Sequence, residues 1–413
     1  MKTPARNCFR NAASTGVAFI FLLHVNTQSA QGYASGSVVG DMRQPPSVSG
    51  GTACPQRTRF DISNSLINRQ WSNEFGFVPN NILTLDQTIL GQIAEVEAVV
   101  RAAFDVWTGV AGSALTPASM DTLQQTDITN ACVPSDGVNS ICFSQKDSAF
   151  TVGVLAFTRV VSADTIGERL SPSTPPSTFV GQILDADVLL RPGDPNTTFA
   201  TPEALPMNPT AYDLQSILTH ELGHFFGFSH SAVWNAVMFP FAPPQGKFNG
   251  IRPTPGSPDA SLTDDDRAGI RALYTDPLDT IHIGRISGRV LPASPLSVPF
   301  SPQDVTGVFP AQVVAVDTAT GAIAAAAMAG WSCADPGPAQ FDGSYSLEHL
   351  AVGPSQTYQI YAEPLDGPVT PDEVFGSVVL CRSSTTEVAW PPQFDCIVPP
   401  PAAPFSARIR PSP

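Results

Sequence analysis

Residues 220–230 read His220-Glu221-Leu222-Gly223-His224-Phe225-Phe226-Gly227-Phe228-Ser229-His230, and the reading of the whole chain turns on them. Helical residues four apart share a face, one turn apart, so His220 and His224 can offer ring nitrogens to one metal ion. Glu221 stands beside the first of them, placed to take a proton from an attacking water. Gly227 follows His224 by three residues, where a glycine can end the helix with positive φ and turn the chain sharply. His230 can then swing back as a third ligand. Three protein ligands with a fourth position open describe a catalytic zinc site, because a structural site closes with four. Imidazole ligands and a water-activating task both select zinc. A His-Glu-x-x-His pair alone can arise by chance on any amphipathic helix. Here three of the six histidines of the chain fall inside one short stretch, with the glycine where a reversal needs it.

The stretch resembles the long zinc motif of the metzincin metallopeptidases, carried by His220, Glu221, His224, Gly227 and His230. Ala236-Val237-Met238-Phe239-Pro240 is similar to the Met-turn of the matrixin branch, and the step from His230 to Met238 fits that branch. Leu262 to Tyr274 resembles its closing helix. The resemblance implies an α+β, metzincin-type catalytic domain: a twisted mixed sheet with packed helices. It implies hydrolysis of internal peptide bonds in a protein or peptide substrate, with zinc on His220, His224 and His230 and Glu221 as general base. Met238 would be a hydrophobic floor under the ligands and not a ligand itself. Animal matrixins carry a second, structural zinc on further histidines. None occurs between His24 and His220, so that site is not expected. The rival reading is a catalytically silent adhesion or matrix-binding protein with a degenerate peptidase domain. Glu221 argues against it, since a purely structural zinc helix needs no carboxylate there.

With 413 residues the chain fits two domains plus tails. Lys plus Arg (21) fall well below Asp plus Glu (36), and the net charge of −15 argues against nucleic acid as a partner. Residues 1–30 read as an export signal: Lys2, Arg6 and Arg10 precede an apolar run from Val17 to Val25, and no acid occurs before Asp41. That run is too short to span a membrane comfortably, and no other stretch approaches the length required. The expected location is extracellular, with cell-surface association left open. Beyond Cys8, six cysteines remain: Cys54, Cys132, Cys142, Cys333, Cys381 and Cys396. An even number in an exported chain suggests disulfides, with Cys132 and Cys142 the expected pair. Cys54 is expected in a bridge and not as a thiolate latch over the zinc, since its surroundings do not match the family's latency motif.

Residues 31–56, rich in Gly, Ser and Pro, read as a flexible leader. A catalytic domain is expected over 57–277. Val96, Val99, Val100, Ala103, Phe104 and Trp107 recur at helical spacing, predicting a helix that starts near 88–91 with Trp107 in the core. Thr151–Thr158 and Gly181–Leu190 read as strands. Asp185 and Asp187 share one strand face; they could ligate calcium or face water, and the solvated reading is favoured. Asp213 is placed to cap the zinc helix, whose Leu214, Ile217, Leu218, Leu222 and Phe225 form a buried stripe. Residues 239–260 form a Pro/Gly-rich loop; in the matrixin resemblance this loop walls the pocket for the side chain just after the scissile bond. Asp264, Asp265 and Asp266 read as helix-end electrostatics, with Ile270 and Leu273 on the buried side of that helix.

From 278 the texture changes to short β-prone runs between Gly, Pro and Asp turns. Gly284–Leu291, Ala311–Gly321, Gly343–Leu350, Tyr358–Leu365 and Val378–Leu380 predict a small β-sandwich over 278–399, followed by a Pro-rich tail over 400–413. The pattern also resembles the transthyretin-like accessory domain of carboxypeptidases. Such a domain could bind a surface, a matrix or carbohydrate, or brace the enzyme. His282 and His349 are isolated and read as surface or packing residues.

Overall fold

The computed structural model describes chiefly residues 56–62, 93–115, 135–137, 139–143, 153–163, 165–191, 197–291, 311–330 and 342–363, with short segments elsewhere. Most of the expected export signal and leader, Val378–Leu380 and most of the Pro-rich tail lie outside the described residues. Among the described residues, no helix is long and apolar enough to cross a membrane.

Helix α1 spans Ile93–Thr108, starting a few residues later than its periodicity suggests. Its repeat Val96, Val99, Val100, Ala103, Phe104 and Trp107 is buried throughout. Gly112, at φ 82°, completes the turn after it. The sheet behind holds β1 (Gly76–Phe77), β3 (Ser140–Phe143), β4 (Ala156–Ser162) and β5 (Ile183–Leu190), in the order β1-β3-β5-β4. β1 and β3 run parallel, as do β3 and β5, while β4 closes the edge antiparallel to β5. The sheet is therefore mixed. β4 begins later than the apolar run from Thr151, because Gly153 at φ 90° turns the chain first. On β5, Ala186, Val188 and Leu190 join the main core, while Leu189 packs on the other face with Cys142, Val154 and Phe157. Cys142 is disulfide-bonded. Cys132, its expected partner, and Cys54, Cys381 and Cys396 lie outside the described residues.

A second small sheet of β2 (Ile89–Leu90), β6 (Phe199–Ala200) and β7 (Tyr212–Asp213) leads directly into α2, Leu214–Phe225. All twelve residues of α2 are buried, so it has no solvent face and the expected single stripe understates its burial. It packs against α1 and against β4 and β5. The Trp107 indole N–H donates to the Thr219 carbonyl at 2.8 Å, fixing α1 to α2. Helix α3, Asp264–Leu273, starts with a capping box between Thr263 and Asp266. Just past it, the Tyr274 hydroxyl donates to the Phe226 carbonyl and accepts from the Phe60 N–H.

Beyond α3 lie β8 (Gly284–Arg289), β9 (Ala311–Asp317), β10 (Ile323–Ala329), β11 (Ser344–Leu350) and β12 (Tyr358–Glu363). β8 pairs antiparallel with β11. β9 lies antiparallel between β10, on the sheet edge, and β12. The two sheets share one apolar cluster with Ala268 of α3, including Val313, Ala315, Ala325, Leu347 and Leu350. The opposite face of β9 and β10, through Val314 and Ala326, packs on Val233 and Ala236. This unit therefore sits against the loop that follows α2. His282 and His349 pack here: His282 contacts Asp279 at 2.9 Å, and the His282 carbonyl lies 3.1 Å from His349 Nδ1.

Candidate metal centre

α2 starts where Asp213 accepts from the Ser216 N–H at 2.8 Å, as the cap position predicts. It ends at Gly227, whose φ of 103° no side chain adopts cheaply. A Cβ there would stand 2.1 Å from the Thr58 carbonyl oxygen, so glycine is required for space as well as for conformation. The turn brings His230 back over the helix. His224 Nε2 lies 3.1 Å from His220 Nε2 and 3.2 Å from His230 Nε2. Ligand atoms of the three histidines all fall within 4.8 Å of one another, and all three side chains are buried. At a metal–nitrogen distance of about 2.0–2.1 Å, tetrahedral ligands sit roughly 3.3 Å apart, close to the separations here.

Backbone carbonyls set the tautomers. His220 Nδ1 lies 2.6 Å from the Val237 carbonyl and His224 Nδ1 lies 2.9 Å from the Phe228 carbonyl. A carbonyl only accepts, so each Nδ1 carries the proton and each Nε2 turns a lone pair to the common centre. Burial, helped by His230, pushes the His220 imidazole down to about 3, against the pull of the Val237 carbonyl. It is neutral, as a metal ligand must be.

Glu221 is wholly buried on the same helix. Its Oε2 accepts from the Thr158 hydroxyl at 2.6 Å, while Oε1 has no hydrogen-bond partner among the described residues. Burial raises the carboxyl to about 8, and the Thr158 hydroxyl holds it below where burial alone would leave it. Met238 is buried beneath α2, and a Cβ at Gly223 would meet its sulfur at 2.1 Å. Gly223 therefore lets the methionine rise against the helix between His220 and His224. The donor set and the orphaned Glu221 oxygen suit a three-histidine zinc site.

Two acidic groups depart from expectation. Asp265 and Asp266 are buried, and they do more than balance a helix end. Asp266 accepts from the Val237 and Met238 N–H groups at 2.9 and 3.3 Å, while Asp265 accepts from the Ser231 hydroxyl at 2.8 Å. Both carboxylates thus hold the chain between His230 and Met238. Only Asp264 fits the simple reading, pairing with Arg267 near the surface. Asp185 and Asp187 do not face water: they are 1% and 0% exposed. Asp185 Oδ2 accepts from the Ser135 N–H at 2.8 Å. Asp185 Oδ1 and both Asp187 oxygens lack a partner of full hydrogen-bond geometry among the described residues. Burial raises both carboxyls, Asp185 to about 7, and for Asp187 the neighbouring Asp185 charge adds to the effect.

The 239–260 loop is tied to the start of α2. Arg252 bonds Asp213 and Gln215, and the Asn249 N–H donates to the Ser216 hydroxyl. Its Pro and Gly content promised only turns; the ties join residues distant in sequence.

With this geometry in place, the comparisons are specific. Residues 80–275 match the matrixin family, peptidase family M10. That region is a matrixin-like zinc metallopeptidase domain. Metalloendoproteinase 1 of Glycine max is 37% identical over 65 residues, which cover 16% of this chain and 18% of that protein. Metalloendoproteinase 1-MMP of Arabidopsis thaliana is 36% identical over 92 residues, 20% of this chain and 22% of its own. Metalloendoproteinase 5-MMP of Arabidopsis thaliana is 32% identical over 109 residues, 26% of each. The chain thus spans only about a fifth to a quarter of the length of these curated relatives.

Proposed function

We propose that this protein is an exported zinc endopeptidase that hydrolyses internal bonds of extracellular proteins. The observation that carries the reading is the convergence of His220, His224 and His230 Nε2 atoms beside a buried carboxylate, Glu221, with one oxygen unpartnered. His220, His224 and His230 would hold the ion. When bound, zinc supplies Lewis acidity that sharpens the attacking water and the scissile carbonyl. Glu221 Oε1 takes the water proton as general base and returns it to the leaving amine. Thr158 keeps Oε2 fixed so that Oε1 is the oxygen that works. Met238 floors the site and keeps water from reaching the ligands from below.

The same proposal divides the chain into an export signal over 1–30, a leader over 31–56, a catalytic domain over 57–277, a transthyretin-like β-sandwich over 278–399 and a tail over 400–413. The shared core of the β8–β11 and β9–β10–β12 sheets supports the sandwich. A Cys132–Cys142 bridge and a calcium ion at Asp185 and Asp187 belong to it as well. The burial of that carboxylate pair, with three oxygens short of a hydrogen bond of full geometry among the described residues, supports the calcium. Calcium added to calcium-free protein, with zinc held saturating, should then raise the melting temperature by several degrees, and Asp187→Asn should abolish the response. An unchanged melting curve sinks the calcium reading.

The deciding experiment is Glu221→Gln. Zinc content should stay at one ion per chain while cleavage of a casein or gelatin substrate falls at least about a hundredfold. Cleavage at the parental rate would remove Glu221 from its role. A parent that holds zinc and cuts nothing would instead favour the silent adhesion protein.

A further inference from the structure

We infer that the C-terminal strands act in cis as a brace for the metal site, with Asp265 as the positioning residue that joins them to it. This rests on the metal-binding part of the proposed function and not on peptide cleavage. β10 is an edge strand, so the N–H groups on its open side have no partner within the sheet. One of them, the Ala326 N–H, donates to Asp265 Oδ1 at 2.7 Å. The other oxygen of the same carboxylate accepts from the Ser231 hydroxyl, next in sequence to His230. The Ser231 hydroxyl in turn accepts from the Val233 N–H, and the Ser231 N–H bonds the Met238 carbonyl. A single buried carboxylate thus joins a sheet edge beyond residue 311 to the loop that carries the third histidine.

An apolar contact runs alongside. Val233 and Ala236, within that loop, bury against Val314 and Ala326. The far end of the loop is held by Asp266 at Val237 and Met238, and the Val237 carbonyl orients His220. The stretch between His230 and Met238 is therefore seated between α2, α3 and β10. Without β10 it would keep Asp266 but lose both the apolar seat and the strand donor that completes Asp265. Outer partners of this kind fix ligand direction, and their loss typically weakens metal binding ten- to a hundredfold.

The test uses the full chain and reads zinc affinity by competition with a chelating dye, together with amide hydrogen exchange over 231–238. Asp265→Ala removes the shared acceptor. Ala326→Pro removes the strand donor and sets its ring against the Asp265 oxygen that accepted from it. Val233→Ala thins the apolar seat and serves if the proline variant does not fold. Asp264→Ala, at the surface of the same helix, is the control. Asp265→Ala should weaken zinc about ten- to a hundredfold, and Ala326→Pro or Val233→Ala severalfold, each with faster exchange over 231–238. Asp264→Ala should match the parent. If Ala326→Pro and Val233→Ala both leave affinity and exchange unchanged, the brace by the C-terminal strands is wrong, whatever Asp265→Ala does. None of these readings needs peptide cleavage, so failure of the peptidase reading would appear separately, as a zinc-loaded parent without activity.

Discussion

Thr158 lies on β4, far from Glu221 in sequence, and its hydroxyl stands 2.6 Å from Glu221 Oε2 and 2.9 Å from the Glu221 carbonyl. One proton serves both acceptors, so the hydroxyl locks side chain and backbone of the same residue. Thr158→Val keeps the shape and deletes the lock. On the proposed mechanism its kcat should fall about tenfold or more with KM and zinc content close to the parent, because loosening Glu221 affects the chemical step. Steady-state kinetics with zinc analysis checks this. Nothing local in the sequence marks Thr158, since its role depends on the register of β4 beside α2. Gly227 is the opposite case, legible from its distance to His224 alone. Gly227→Ala forces a positive φ on a residue with a side chain and drives a Cβ onto the Thr58 carbonyl. The left-handed conformation alone costs about 1–2 kcal/mol, and the clash adds to it. A lower melting temperature with weaker zinc retention is the expected result of a thermal scan and a metal assay.

At the scale of elements, α3 shows how a correct local reading stops short. Three aspartates at a helix N-terminus suit the dipole, and Asp266 does complete a capping box. What the run of letters could not convey is that two of them point inward onto the loop between His230 and Met238, because burial depends on the packing of α3 against chain distant in sequence. The consequence is a pH dependence. Burial, with the Asp266 charge added, raises Asp265 to about 7, against a usual carboxylate near 4. Between those values the folded chain holds a proton that the unfolded chain has released. This contribution to stability is therefore full below about pH 4 and is lost as pH rises towards 7. Asp265→Asn, which does not titrate, should flatten that part of the stability curve. Denaturant melts at steps between pH 4 and 7.5 measure it, and an unaltered slope would mean that Asp265 is ionised throughout.

For the molecule as a whole, the zinc helix and the mixed fold were legible because their signals are local: ligand spacing, a helix-ending glycine, a cap, a helical period. The seam between the metal-site region and the C-terminal strands was not, because it is built from alanines and valines ordinary in any core. Ala268 of α3 buries against Ala311, Val313, Ala315 and Leu347, while Val233 and Ala236 bury against Val314 and Ala326. Cutting the chain near 278 would uncover both clusters, so a truncated chain reports on lost packing before it reports on any substrate choice. The intact chain offers a cleaner measurement. Two regions that share core clusters and the buried Asp265 bond should unfold together, so calorimetry should give one transition spanning both. Ala268→Glu places a charge at a position 1% exposed, where desolvation costs several kcal/mol unless the region opens. The seam should then part, and the single transition should split into two, the lower belonging to the less stable region. A parent chain that already melts in two steps would show that the regions touch without sharing stability.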